Sequence, residues 1–178
     1  MKVILSKAEM LEYCRTAGGL GHYRTDCSIE RTDGIDADAM LGGYIRSRYI
    51  ELLDTADVGM LYPEDIRDEV VRTSTPGMDC ALLRPVVDCR RHLSVRLDGW
   101  ERSTEILPPS EYEHAEALSR NPYTAPDAST PLAVLTPEGD VAAWPASGAV
   151  LSYTAVTDRG EDTYRLDERA LEELIVKS

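Results

Sequence analysis

Residues 79–107 read DCALLRPVVDCRRHLSVRLDGWERSTEIL, and this stretch decides the fold class. From Leu93 the chain alternates, with Leu93, Val95 and Leu97 on one face and Ser94, Arg96 and Asp98 on the other. That is the period-two pattern of a half-buried strand. Asp98-Gly99 stands between two such runs, and an Asp-Gly step signals a hairpin because both residues tolerate the positive φ of a primed turn. The stretch is therefore expected to form two extended runs paired through Asp98-Gly99, with helical segments before and after it. The class that follows is α+β, a helical N-terminal half packed on a mainly antiparallel sheet with a C-terminal helix.

The chain has 178 residues, 43% hydrophobic and 29% charged, a composition that suits one soluble domain burying about 70% of its unfolded surface. Residues 1–75 read as the helical part and residues 79–178 as the sheet-containing part of that single domain. No apolar run approaches the roughly 20 residues of a membrane helix. The opening MKVILSKAEML is too short in apolar residues for a secretory signal, so synthesis in the cytoplasm is expected. Cys14, Cys27, Cys80 and Cys89 are irregularly spaced, and in that compartment free thiols are the default. A net charge of −13 repels phosphate backbones and argues against direct nucleic-acid binding. Against this acidic background, Arg84, Arg90, Arg91, Arg96 and Arg102 cluster in the central stretch. They read either as a solvent face paired with carboxylates or as a basic patch that meets an acidic patch on a neighbouring copy.

Along the chain, Ser6 and Glu9 have the spacing of a capping box. The helix they start carries Met10, Leu11 and Cys14 and is expected to stop at Gly18-Gly19. Gly18-Gly19-Leu20-Gly21 lacks the preceding strand and the Gly-Lys-Ser of a phosphate loop, and residues 22–36 read as a polar loop. The longest helix spans Asp36 to Asp54, capped by Asp36 or Asp38, with Arg46 and Arg48 facing out. Its Gly42-Gly43 pair is ascribed to close packing. Pro63, Glu64 and Asp65 resemble the first turn of another helix, with Ile66, Val70 and Val71 on one face, ending at residues 73–77. A second capping box, Ser110 to Glu113, predicts a helix over 111–119. A Pro-rich crossing loop follows over 121–131. Strands at 132–136, 141–144 and 149–156 have meander spacing, and Asp167 caps a last helix striped by Leu171, Leu174 and Ile175.

The groups that could carry chemistry are few. His22, His92 and His114 have no partner at metal-ligand spacing, and no cofactor motif is present. Cys80, Cys89 and His92 could converge if their strands were adjacent, although buried structural cysteine is the commoner case. Cys89 beside Arg90, Arg91 and His92 is the best-placed nucleophile. Asp65, Asp68 and Glu69 have more the character of a solvated face than of an acid/base cluster. No catalytic, cofactor-binding or metal-ligating residue is assigned.

The order of a helical first half, then RRHLSVRLDGWERSTEILPPSEYEHA, NPYTAP, LSYTAV and LDERALEELI resembles small neck proteins of tailed bacteriophages, those of Bacteroides-type hosts in particular. The steps that carry the likeness are Leu107-Pro-Pro-Ser-Glu-Tyr112 and Asn121-Pro-Tyr123, within roughly residues 90–175. DADAMLGGYIRSRY also resembles a helix of Mu-type neck proteins, from which Gly42 and Gly43 depart. The resemblance implies a non-enzymatic head-to-tail adaptor of a phage or prophage, found in the bacterial host cytoplasm and then in the virion. Its partners would be portal and tail proteins, in a homo-oligomeric ring. The other class kept open is a small cytoplasmic enzyme or ligand-binding module. For self-association, Arg90, Arg91, Arg96 and Arg102 are expected to face Glu64, Asp65, Asp68 and Glu69 of the next copy.

Overall fold

A computed structural model describes residues 1–17, 37–74 and 76–176. It is of mixed α+β class with a largely antiparallel sheet, as expected. The chain forms two compact units: residues 1–62 with 158–178, and residues 63–157.

The first unit opens on β1 (Lys2–Ser6), which runs directly into α1 (Lys7–Ala17), and continues with α2 (Ala37–Thr55). It is completed by β10 (Thr163–Asp167) and α4 (Glu168–Val176). The Ser6 capping box forms: the Glu9 carboxylate accepts from the Ser6 N–H at 2.8 Å, and the Ser6 hydroxyl accepts from the Glu9 N–H at 3.3 Å. Strands β1 and β10, neither of them expected from the sequence, pair antiparallel with Ile4 opposite Arg165. Asp167 caps α4 by accepting from the Arg169 N–H at 3.2 Å, and Leu171 and Leu174 are buried. The glycine-rich run at 18–21, the polar loop at 22–36, Asp36 and Cys27 lie outside the described residues.

Helix α2 departs from its expected pattern in two ways. Arg46 and Arg48 do not face out. Arg46 pairs with Asp158, their side chains 16% and 8% exposed, and Arg48 pairs with Glu51. Conversely Met40 and Tyr44, apolar-bodied residues of the same helix four positions apart, are exposed. Among the described residues, a methyl group on Gly43 would meet nothing within 4 Å and one on Gly42 would meet only Lys7 Cε at 3.7 Å, so no close contact of the glycine pair is seen there.

The second unit contains β2 (Glu64–Asp65), β3 (Val70–Ser74), β4 (Ala81–Pro85), β5 (Asp88–Leu97), β6 (Thr104–Leu107), α3 (Tyr112–Arg120), β7 (Leu132–Leu135), β8 (Val141–Trp144) and β9 (Val150–Asp158), whose last residue belongs to the first unit. The helix expected from Pro63 is absent, and its residues form β2, a 3-10 turn and β3. Proline followed by two acids suits a helical first turn, but Val70 and Val71 are β-branched and pair with Pro85 and Arg84 of β4. The sheet order is β2-β9-β5-β6-β7-β8-β4-β3. A flat sheet of that width would separate its edges by about 34 Å, yet the chain passes from Asp65 to Val70 within five residue steps, about 18 Å at most. The sheet therefore curls on itself. Residues 66–69 bridge its two edges: Ile66 N–H donates to the Tyr153 carbonyl, and the Glu69 carbonyl accepts from Val86 N–H.

The curl gives the sheet an inside. Leu83, Val95, Leu97, Ile106, Ala133, Val141, Ala143, Tyr153 and Ala155 point into one core, which Ile66 and Trp100 close. On the outer face, Val134, Ala142 and Trp144 pack with Cys80 and with Ala115 of α3. Strands β7 and β8 thus bury both faces, which is why they read as apolar runs rather than alternating ones. Helix α3 is the crossover of a parallel β6–β7 pair. No side chain caps it, and its preceding turn is the 3-10 segment Pro109–Glu111, so the second expected capping box does not form. The β5–β6 hairpin exists, with Ser94 opposite Glu105. Its connection is longer than a two-residue turn: Trp100 N–H closes a turn on the Leu97 carbonyl, with Gly99 at φ +93°, before the chain reaches Thr104. Strands β7 and β8 form a hairpin, but β9 leaves the expected meander and crosses to β2.

Candidate functional site

Cys80 and Cys89 do not converge. Cys80 lies in the core under α3, and Cys89 packs against the core inside the sheet. The nearest partner of His92 is instead Tyr153 of β9, with His92 Nδ1 2.7 Å from its hydroxyl. Burial lowers the His92 pKa and raises that of Tyr153, so both groups favour the neutral form, as a satisfied buried pair does. Cys14, Cys80 and Cys89 are free thiols. Among the described residues no three His, Cys, Asp or Glu side chains form a group that could hold a metal.

The eight residues expected to form a self-association surface all fall in the second unit, but several are already engaged. Asp65 accepts from the backbone N–H groups of Arg67 and Tyr153 at 3.1 and 3.0 Å, which fixes the narrow edge strand β2 onto β9. Glu64 accepts from the Thr157 hydroxyl, and Glu69 has interactions of its own. Asp68 is exposed beside Arg67 at 4.0 Å. The four acids thus line the seam where the sheet curls closed, on strand and 3-10 turn rather than on a helix face. Of the arginines, Arg90 and Arg91 have interactions within the fold, and Arg96 donates to the Trp100 carbonyl at 3.3 and 3.4 Å. Arg102 is exposed on the β5–β6 connection. Arg84 has a bidentate pair with Asp140 at 2.9 and 2.8 Å, the solvent-face role its sequence context suggested.

Two features were not expected from the sequence. The first is the open edge of β1. Glu168 N–H donates to the Met1 carbonyl and Lys7 N–H donates to the Asp162 carbonyl, so the odd-numbered residues of β1 bond to β10, and Arg165 N–H, opposite Ile4, turns away to the Tyr49 hydroxyl. In an antiparallel ladder the even residues then aim their N–H and C=O groups outward. Ser6 N–H is satisfied by Glu9. Ile4 presents its backbone on the side where β1 has no neighbouring strand among the described residues, and its side chain is 53% exposed.

The second feature is a cavity of about 230 Å³ beside α3, lined by Gly77, Met78, Asp79, Tyr112, Glu116, Ser119, Arg120 and Trp144. Helix α3 sets Tyr112, Glu116 and Arg120 on one side at helical spacing, and β8 supplies Trp144 as the floor. The Tyr112 and Trp144 rings lie 6.5 Å apart at 42°. The carboxylate of Asp79 accepts from the Ala146 N–H at 3.0 Å, and Glu116 pairs with Arg120 at 2.7 Å.

Neither a protein-family model nor a curated protein matches the sequence. No described helix is long and apolar enough to cross a membrane.

Proposed function

We propose that the chain is a non-enzymatic structural adaptor of a tailed phage or prophage, acting at the neck between portal and tail as one copy of a ring. It would await assembly in the bacterial host cytoplasm and then become part of the virion. The motif order over residues 90–175 supports this reading from the sequence. The observation that carries it in the structure is the open edge of β1, because an exposed strand edge is a template on which another chain can add a strand. The enzyme reading has less behind it, since His92 is bonded to Tyr153 and Cys80 and Cys89 lie in separate cores.

The test uses Ile4→Pro. Proline has no N–H, but that of Ile4 points away from β10, so the β1–β10 ladder stays intact, and proline is tolerated at such edge positions. Sedimentation velocity on the purified protein, alone and with a candidate tailed-phage portal protein, is expected to show association for the natural chain and its loss for Ile4→Pro at unchanged circular dichroism. Val3→Pro, whose N–H faces β10, is expected to disturb the fold itself. Association that survives Ile4→Pro removes the edge from the argument. Absence of any complex with portal or tail proteins removes the adaptor.

A further inference from the structure

The cavity beside α3 combines three properties that favour one kind of occupant. It is walled by two aromatic rings, it is flanked by the carboxylates of Asp79 and Glu116, and the exposed side chain of Met78 stands at its rim. Aromatic faces attract cations, and a planar guanidinium adds stacking and a fork of donors that a carboxylate accepts. Burial, and after it the charge of Glu116, pushes the Tyr112 hydroxyl pKa up, in keeping with a negative local potential. The cavity's own cation, Arg120, does not fill it. That side chain is 70% exposed and holds Glu116 in a surface pair one helical turn away, an arrangement of small energetic worth that an incoming cation can displace.

We propose that this cavity receives an arginine side chain carried by a partner protein. The guanidinium lies against Tyr112 above Trp144, donates to Glu116 and displaces Arg120 toward solvent, while Asp79 adds negative potential without leaving its bond to Ala146. The inference uses residues of the second unit only and stands whether or not the β1 edge or the neck assignment does.

The experiment titrates N-acetyl-arginine amide into the full-length protein and follows the two indole N–H resonances, which belong to Trp100 and Trp144. The Trp144 resonance is expected to shift with saturation in the millimolar range, while Trp100, buried and bonded to the Pro145 carbonyl, stays in place. N-acetyl-norleucine amide, of similar length without the charge, is expected not to shift either. Glu116→Gln should weaken arginine binding about two- to fivefold, and Arg120→Ala should tighten it by about twofold, because the resident competitor is gone. Both positions are on the surface of α3, so loss of folding does not confuse the result. Equal responses to the arginine and norleucine probes would overturn the proposal, as would no Trp144 response at all. So would an Arg120→Ala variant that binds no more tightly than the natural chain.

Discussion

Asp158→Asn is expected to destabilise the first unit. Asp158 and Arg46 form a pair 112 residues apart in sequence, with side chains 8% and 16% exposed. Among the described residues the buried Arg46 Nη1 atom has no hydrogen-bond partner, and Asp158 is the carboxylate paired with this guanidinium. Removing one partner of a buried pair leaves an uncompensated charge and costs about 3–5 kcal/mol. Asparagine keeps one acceptor oxygen, which places the expected loss near the lower end, about 3 kcal/mol. For a cooperative unit the size of the first one that corresponds to a fall of about 12–24 °C in its melting temperature. The assay follows from the placement of chromophores. Trp100 and Trp144 both belong to the second unit, whereas α1, α2 and α4 belong to the first. Far-ultraviolet circular dichroism should therefore show the early transition, and tryptophan fluorescence should move less. The double variant Arg46→Met, Asp158→Leu is expected to recover most of the loss, since replacing both charges by apolar groups is often neutral. An Asp158→Asn protein that melts within 1 °C of the natural chain, or a double variant worse than the single one, would refute the reasoning.

Three further outcomes are expected. Gly148→Ala should destabilise the second unit by about 1–3 kcal/mol in urea titrations, because a methyl group there would lie 2.8 Å from Asp98 Cβ where residues 147–149 clasp the turn after β5; an unchanged midpoint would show that the two loops separate freely. Burial pushes the Cys80 thiol up to about 11 from 9.0, so at pH 8 it should hold about 100-fold less thiolate than a free cysteine and react with a disulfide reagent only slowly until the protein is denatured. Arg84 holds the Asp140 carboxyl below its usual range; a depressed carboxylate stabilises the fold above its unfolded pKa, and that contribution disappears as the pH falls through the folded value. The stability difference between the natural chain and Arg84→Ala should accordingly be present at pH 7 and shrink as acidification carries the pH through and below the ordinary carboxylate range, and a difference that grows in acid would contradict the assignment.

What the sequence made legible was local. The Ser6–Glu9 box, the Asp167 cap, the long helix α2 and the β5–β6 hairpin are each specified by residues within a few positions of one another, and each is present. The failures share a different cause. Arg46 reads as an outward cation because nothing near it in sequence announces Asp158. Residues 63–71 read as a helix because proline and acids suit a first turn, whereas the pairing of Val70 and Val71 with β4 decides the outcome. The strand β1 is only five residues long, and its partner at 163–167 shows a period-two burial of Tyr164 and Leu166 that was present in the sequence and could have been read. The cavity beside α3 was not legible, since it joins residues from 77 to 144 that meet only through the fold.

Charge decides which surface of so acidic a chain can serve assembly. Within the second unit, Arg67 lies among Asp65 and Asp68, Arg84 is paired with Asp140, and Arg120 with Glu116. Arg96 has its guanidinium on the Trp100 carbonyl. Arg102 differs: it is exposed and its side chain has no ion pair among the described residues. On the acceptor side, Glu64 and Asp65 bind the sheet seam together, so an incoming cation there competes with the fold. An incoming cation beside α3 competes only with a surface pair. If copies associate through the expected arginine patch, Arg102→Glu should therefore reduce association in low salt and flatten its salt dependence more than Arg96→Glu does. Sedimentation at two salt concentrations reads both quantities, and an Arg96→Glu effect equal to or larger than that of Arg102→Glu would place the contact elsewhere on the sheet.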